Sequence, residues 1–306
     1  FVLAAAAAAL VGAVLGLGHW RWAQATDALV ADLQAAAVPP AVTRVDLARE
    51  TEGLPQPVQR YLRAVLTDGA PIVRGATLAH RGTFNLGSGP GRPQWRHFES
   101  EQVVVTHRPG FVWNARIAAL PGVPVRVHDA YLAGQGRLHA AVAGLVTVAE
   151  LHGGGDIAEG ELMRFLAEAA WYPTALLPSQ GVRWAAVDAH RADATLRDGA
   201  VQVTLRFAFG DDGLMASVHS DARARSVGGR MVPTPWVGRW SRYAQRGDQR
   251  VPLDGEVAWR LPEGDMPYWR GTLTELQHTA DAADARPAPP APPAPTAAGE
   301  AAAQPR

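Results

Sequence analysis

The chain has no cysteine and no lysine. The first absence excludes disulfides, thiol nucleophiles, cysteine-ligated zinc and iron–sulfur clusters. The second excludes Schiff-base chemistry, a P-loop lysine and a Ser–Lys dyad. All 29 basic residues are therefore arginine, balanced by 29 acids. With zero net charge, the whole-chain field favours no polyanionic partner, and no nucleic acid is expected. The ten histidines show neither HxH nor HExxH spacing, so no metal site and no cofactor is expected. There is no G-x-S-x-G elbow, and no catalytic residue is assigned.

What the chain does have is apolar mass and tryptophan. Apolar residues make up 47% of it, enough for a substantial core. The chain opens on Phe1 rather than Met, so a preceding segment is expected. Residues 1–18, FVLAAAAAALVGAVLGLG, carry no charge. At ~1.5 Å per residue they nearly span a ~30 Å hydrocarbon core. Trp20 and Trp22 then suit a membrane interface. Residues 1–22 read as a transmembrane or signal-anchor segment. A cleaved signal peptide ending at Ala23-Gln24-Ala25 is the rival. Either reading places the rest outside the cytoplasm, and the uncleaved anchor would tether a soluble domain there. Residues 23–53 read as a helical linker. The stretch 280–306, rich in Pro and Ala, cannot bury a core and reads as a disordered tail.

Residues 54–279 form the β-rich domain. LPQPVQRYLRAVL at 54–66 is a helix whose apolar face is Val58, Tyr61, Leu62, Val65 and Leu66. Alternation predicts strands near 76–86, 95–107, 111–118, 124–132, 137–150 and, most clearly, 200–209. Turn signals at Asp198-Gly199, Asp212-Gly213, Gly228-Gly229, Gly247-Asp248, Asp254-Gly255 and Gly264-Asp265 make the second half a meander. Gly134-Gln135-Gly136 reads as a hairpin turn, and Gly87–Gly91 as a turn between strands. His128 and Asp129, adjacent on a strand, should point to opposite faces. The expected fold is β-dominated α+β: a large antiparallel curved sheet or open barrel of twelve or so strands, covered by a helical insert.

That insert carries the most informative stretch, ELMRFLAEAAWYPTALLPSQGVRW at 161–184. Asp156 is the expected N-cap, with Glu159 completing a capping box. Ala158, Leu162, Phe165, Leu166 and Ala169 share one arc that should pack on the sheet. Glu161, Arg164 and Glu168 form a separate stripe at i, i+3 and i+7, so Arg164 can bridge both carboxylates. Trp171 and Tyr172 flank the stripe. These five residues are the candidate ligand-binding set. The stripe is either a solvated ladder or the lining of a cavity, where Arg164 would orient a ligand carboxylate or phosphate.

A second candidate is residues 223–250. Seven arginines there face the single acid Asp248. Arg230, Trp236, Arg239, Trp240 and Arg242 read as a membrane or anion contact. The alternative is the outward face of a hairpin whose arginines pair with acids elsewhere. Of the ten tryptophans, Trp95, Trp113, Trp184, Trp259 and Trp269 lie in strand-like contexts and fill the core or line a cavity.

ELMRFLAEAAWYPTALLPSQGVRW, with LPQPVQRYLRAVL, PGVPVRVHDAYL, VPTPWVGRW and YWRGTLTEL, resembles an uncharacterised bacterial family of anchored proteins across roughly residues 54–276. That family brings no activity and no catalytic residue. The strand–helix–strand order also resembles the open β-barrels of periplasmic lipoprotein carriers, which implies a helix plugging an apolar concavity. The leading expectation is a membrane-tethered, extracytoplasmic binding protein for an apolar or amphipathic, lipid-like ligand. The alternatives are a hydrolase or isomerase using Glu161 or Glu168 as base, and a non-catalytic envelope scaffold.

Overall fold

The computed structural model describes residues 2–87, 93–120 and 122–281. Residues 282–306 of the tail expected from 280 onward, and most of the Gly87–Gly91 turn, lie outside the described residues.

The apolar N-terminal run and the Ala-rich segment after it form one continuous helix, α1 (Val2–Ala36). It runs unbroken past residue 22, because no proline or glycine pair interrupts the run before Pro39. The first half of α1 is largely exposed, and the helix is long and apolar enough to cross a membrane. The second half packs on a sheet. Trp20 is 60% exposed but Trp22 is only 3% exposed. Trp22 therefore departs from its expected place at an interface. Its indole stacks on His128 at 4.0 Å and donates to Asn114 Oδ1 at 2.9 Å. Below it, Leu29, Val30 and Leu33 bury against Val103, Val105, Val112 and Ala130. Burial holds the His128 ring neutral, lowering its pKa to about 3.

Two short helices follow, α2 (Leu47–Thr51) and α3 (Gln56–Val65). The predicted face of α3 is buried in full. The chain then forms six strands: β1 (Gly75–Asn85), β2 (Trp95–Val105), β3 (Gly110–Leu120), β4 (Val123–Leu132), β5 (Gln135–Val142) and β6 (Val146–Gly153). The single strand expected at 137–150 is thus a hairpin, turning at Ala143–Leu145. After helix α4 (Asp156–Glu168) and three short 3-10 turns come β7 (Arg183–Ala186), β8 (Arg191–Asp198), β9 (Val201–Phe209), β10 (Met215–Val227), β11 (Arg230–Arg246), β12 (Gln249–Leu261) and β13 (Gly264–Thr279).

These thirteen described strands make one antiparallel sheet in the order β6-β5-β4-β3-β2-β1-β13-β12-β11-β10-β9-β8-β7. The first and last strands pair at its centre. The two edges are β6 and β7, which are consecutive in sequence. The segment joining them, with α4 at its start, must therefore cross from one limb of the sheet to the other. It does so on the concave side, where α4 packs against β4, β5 and β6 on one limb and β9 and β10 on the other. The sheet is curved and unclosed, and α4 covers its concavity, as the sequence predicts.

Two local expectations fail. Asp254-Gly255 is no turn; it lies inside β12. The glycine is required there because a Cβ would fall 2.6 Å from the Trp240 ring. Asp156 is not the N-cap of α4. Gly155, at φ 60°, takes that position without a side-chain cap.

Candidate functional site

The apolar arc of α4 docks on the sheet as its spacing requires. Ala158, Leu162, Phe165, Leu166 and Ala169 are all 2% exposed or less. The same rotation turns Glu161, Arg164 and Glu168 toward the concave sheet rather than toward water. Their side chains are only 12%, 15% and 13% exposed.

Strand register builds the floor beneath Arg164. Gln102 on β2 lies opposite Trp113 on β3, and Trp113 lies opposite Asp129 on β4. This row puts an aromatic ring between two polar groups on one face. The Arg164 guanidinium lies above that ring, 5.0 Å from its centre and 4.8 Å from that of Phe111. Its nitrogens reach outward to both flanks. Nε donates to Glu168 Oε1 at 2.7 Å, Nη1 to Asp129 Oδ2 at 2.5 Å and Nη2 to Gln102 Oε1 at 3.0 Å. Gln102 Nε2 closes the ring by donating to Glu168 Oε2 at 2.6 Å. Arg164 thus does not clamp two glutamates, because Asp129 takes the second position. Each of its three nitrogens already serves a protein acceptor.

Glu161 instead faces Arg223, with Oε1 4.0 Å from Nη2. That separation is at the limit of an ion pair. Arg223 also donates to the Tyr268 hydroxyl at 3.3 Å and stacks over Trp236 at 5.1 Å. Burial dominates the titration of Glu161, and Asp129 adds repulsion. Arg223 and Arg164 oppose these effects without overcoming them. The result is a pKa raised to about 8, so Glu161 is the uncharged acid at neutral pH. Its Oε2, like Asp129 Oδ1, has no hydrogen-bond partner among the described residues.

Beside this polar cluster lies a cavity of ≈ 540 Å³ between α4 and the sheet, mostly apolar in lining. Its aromatic wall includes Trp113, Trp236, Trp240, Trp259 and Trp269. Trp171 also lines it, with its indole nitrogen donating to Pro252 O at 3.0 Å. Tyr172 does not. The chain leaves helical geometry there, and the Tyr172 hydroxyl donates to Phe165 O at 2.9 Å, inside the core. Among the described residues no group of three or more His, Asp or Glu is arranged to hold a metal ion.

The second predicted set divides between the faces of β11. Trp236 and Trp240 are buried on the concave side and line the cavity. Arg239 points to the convex side and pairs with Glu256 and Asp265. Arg242, at φ 53° where the ladder is irregular, turns outward as well and binds Asp254, with Nη2 2.7 Å from Oδ1. Arg230 is exposed at the start of the strand. The five residues therefore form no single contact surface. Strand alternation separates the tryptophans from the arginines, and acids on β12 and β13 neutralise Arg239 and Arg242.

Sequence reasoning missed Gln102, Asp129 and Arg223 as partners of the α4 stripe. Gln102 carries one detectable signal: it is a polar residue at the inward parity between Phe98 and Val104. The pairing of these residues follows from strand register, which spacing within α4 does not encode.

A LolA-superfamily protein from Nitrosomonas europaea is similar in structure, with 12% identity and a TM-score of 0.29, covering 78% of this chain and 94% of that one. A β-barrel-like protein of the domain of unknown function DUF1849 from Brucella abortus gives 11% identity and a TM-score of 0.22, covering 69% and 100%. Likeness at this level says nothing about a ligand. No curated protein matches the sequence. The match that covers most of the sheet and the whole of α4 runs over residues 52–278, and by it the chain belongs to DUF6920, a family of unknown function.

Proposed function

We propose that this protein is a membrane-tethered, extracytoplasmic binding protein for an apolar or amphipathic, lipid-like ligand. The observation that carries the reading is the ≈ 540 Å³ apolar cavity under α4, walled by tryptophan and bordered by a polar cluster. Its size is within the range of small-ligand sites. An acyl chain would lie against Trp236, Trp240 and Trp269, and a polar head would meet Glu161 and Asp129. Since Nε, Nη1 and Nη2 of Arg164 each already donate to Glu168, Asp129 or Gln102, its role is to hold that polar border in place. The exposed apolar half of α1 supports the tether.

Mass spectrometry of the full chain after gentle detergent extraction tests the ligand. A co-purifying lipid, displaced by a fluorescent acyl probe, is the expected result. If no lipid co-purifies and no probe binds, the reading is wrong. Resistance to alkaline carbonate extraction tests the tether separately.

One observation favours a second reading. Glu161 is a buried carboxyl with a strongly raised pKa beside a cavity, which suits a general acid or base. Nitrophenyl esters of graded acyl length probe it. Hydrolysis no faster than that of E161Q removes a catalytic role for Glu161 in that chemistry.

A further inference from the structure

A second charged feature lies on the convex face, outside the cavity under α4. Register aligns Arg81 on β1 with Glu99 on β2, Glu99 with Arg116 on β3, and Arg116 with Arg126 on β4. One cross-strand row therefore carries three arginines and one acid. Arg116 and Arg126 are direct neighbours, a like-charge juxtaposition that destabilises an antiparallel pair. Among the described residues none of the three arginines makes an ion pair, whereas Arg239, Arg242 and Arg270 on the same face all do.

The row borders a groove of ≈ 1150 Å³ between α1 and the sheet. Its other end carries Asp27, Glu101 and Glu275, so the groove is polarised rather than uniformly basic. The arginine end lies where the apolar half of α1 finishes. Arg126 Nη2 is 2.8 Å from His19 Nδ1, one residue beyond the uncharged run. Gly18 passes so close to the β5–β6 turn that a Cβ would lie 2.3 Å from Ala143 O, which fixes this crossing. If residues 2–18 occupy the hydrocarbon, the row lies at headgroup depth.

We propose that Arg81, Arg116 and Arg126 form a binding site for the phosphate of an anionic membrane-lipid headgroup. The inference rests on the tether reading and is independent of the cavity under α4. A phosphate between Arg116 and Arg126 would relieve their repulsion and accept charge-assisted hydrogen bonds from both. Acids at the far end of the groove would keep the phosphate at the arginine end.

The test titrates the full chain, in a non-ionic detergent, with dihexanoyl-phosphatidylglycerol and separately with glycerol phosphate. The lipid should bind, and R116Q with R126Q should weaken it roughly thirtyfold, taking about 1 kcal/mol for each arginine near a membrane surface. R239Q with R242Q, on the same face but already ion-paired, should leave binding unchanged. R81Q with R116Q, both exposed, provides a second pair if the first impairs folding. Lipid binding that neither variant pair weakens overturns the site. Glycerol phosphate binding as tightly as the lipid overturns a membrane source. Failure of carbonate resistance would fall on the tether instead.

Discussion

Two charged clusters lie on opposite faces of one sheet. On the convex face, Arg239 reaches Glu256 and Asp265, and Arg270 reaches Glu256, with side chains 29–51% exposed. On the concave face, Arg164 reaches Asp129 and Glu168, with side chains 13–15% exposed, and the buried Gln102. The composition of the two is similar, and both are arginine–carboxylate networks. What differs is the solvent. Water screens the outer network and replaces any lost partner. The inner one has no such substitute, so its hydrogen bonds are nearly complete and its leftover carboxyl, Glu161, becomes neutral instead. The same residue types that form a soluble surface on one side form a polar border to a cavity on the other.

The largest effect should come from breaking the inner network. Arg164→Met leaves Asp129 and Glu168 buried without their cation, and should cost about 3–5 kcal/mol in denaturant unfolding. A loss no larger than that of an outer-face variant would remove the distinction between the networks.

Next is the pH dependence of Glu161. Its folded-state pKa, about 8, exceeds the ordinary value of 4.5. The folded state therefore holds the proton more tightly than the unfolded one. The associated stability is fully present below pH 4.5 and is lost as pH rises through about 8. Wild type should weaken by a few kcal/mol across that window, and Glu161→Gln should flatten the decline. Urea melts of both proteins from pH 4.5 to 9 would check this; parallel curves would mean that Glu161 ionises normally.

Smaller again is Gly160→Ala, beside Glu161 on α4. A Cβ there meets Arg223 Nε at 3.7 Å, an ordinary contact. Removing a glycine from the helix interior should stabilise the protein by about 0.5–1 kcal/mol in thermal unfolding. Destabilisation would show that α4 needs the closer approach to Arg223. The smallest effect is expected for Arg239→Gln on the outer network, at about 0.5 kcal/mol and less at high salt. A salt-independent loss above 2 kcal/mol would contradict screening of that face.

Much of the scaffold was legible because local periodicity survives into the fold. The α3 face, the α4 arc and the alternation of β9 follow directly from residue spacing. The opposite facing of His128 and Asp129 was legible too: one stacks on Trp22 outside and the other binds Arg164 inside. The site was legible only by half. Spacing isolated Glu161, Arg164 and Glu168 as a stripe, but Arg164 finds its other partners 35 and 62 residues away. The arginine and tryptophan segment at 223–250 looked like one surface in sequence, and pleating plus an irregularity at Arg242 divided it. Asp254-Gly255 looked like a turn because glycine has two uses, bending a chain and making room for a ring.

By itself the sequence determined the excluded chemistries, the apolar helix, the antiparallel sheet and the docking arc of α4. These depend on composition and on contacts between near neighbours. Only the tertiary structure decided that the α4 stripe borders a cavity, that Glu161 is neutral, and that Arg116 faces Arg126. Each of these depends on strand register and on the exclusion of water between distant segments, and neither is written in local spacing.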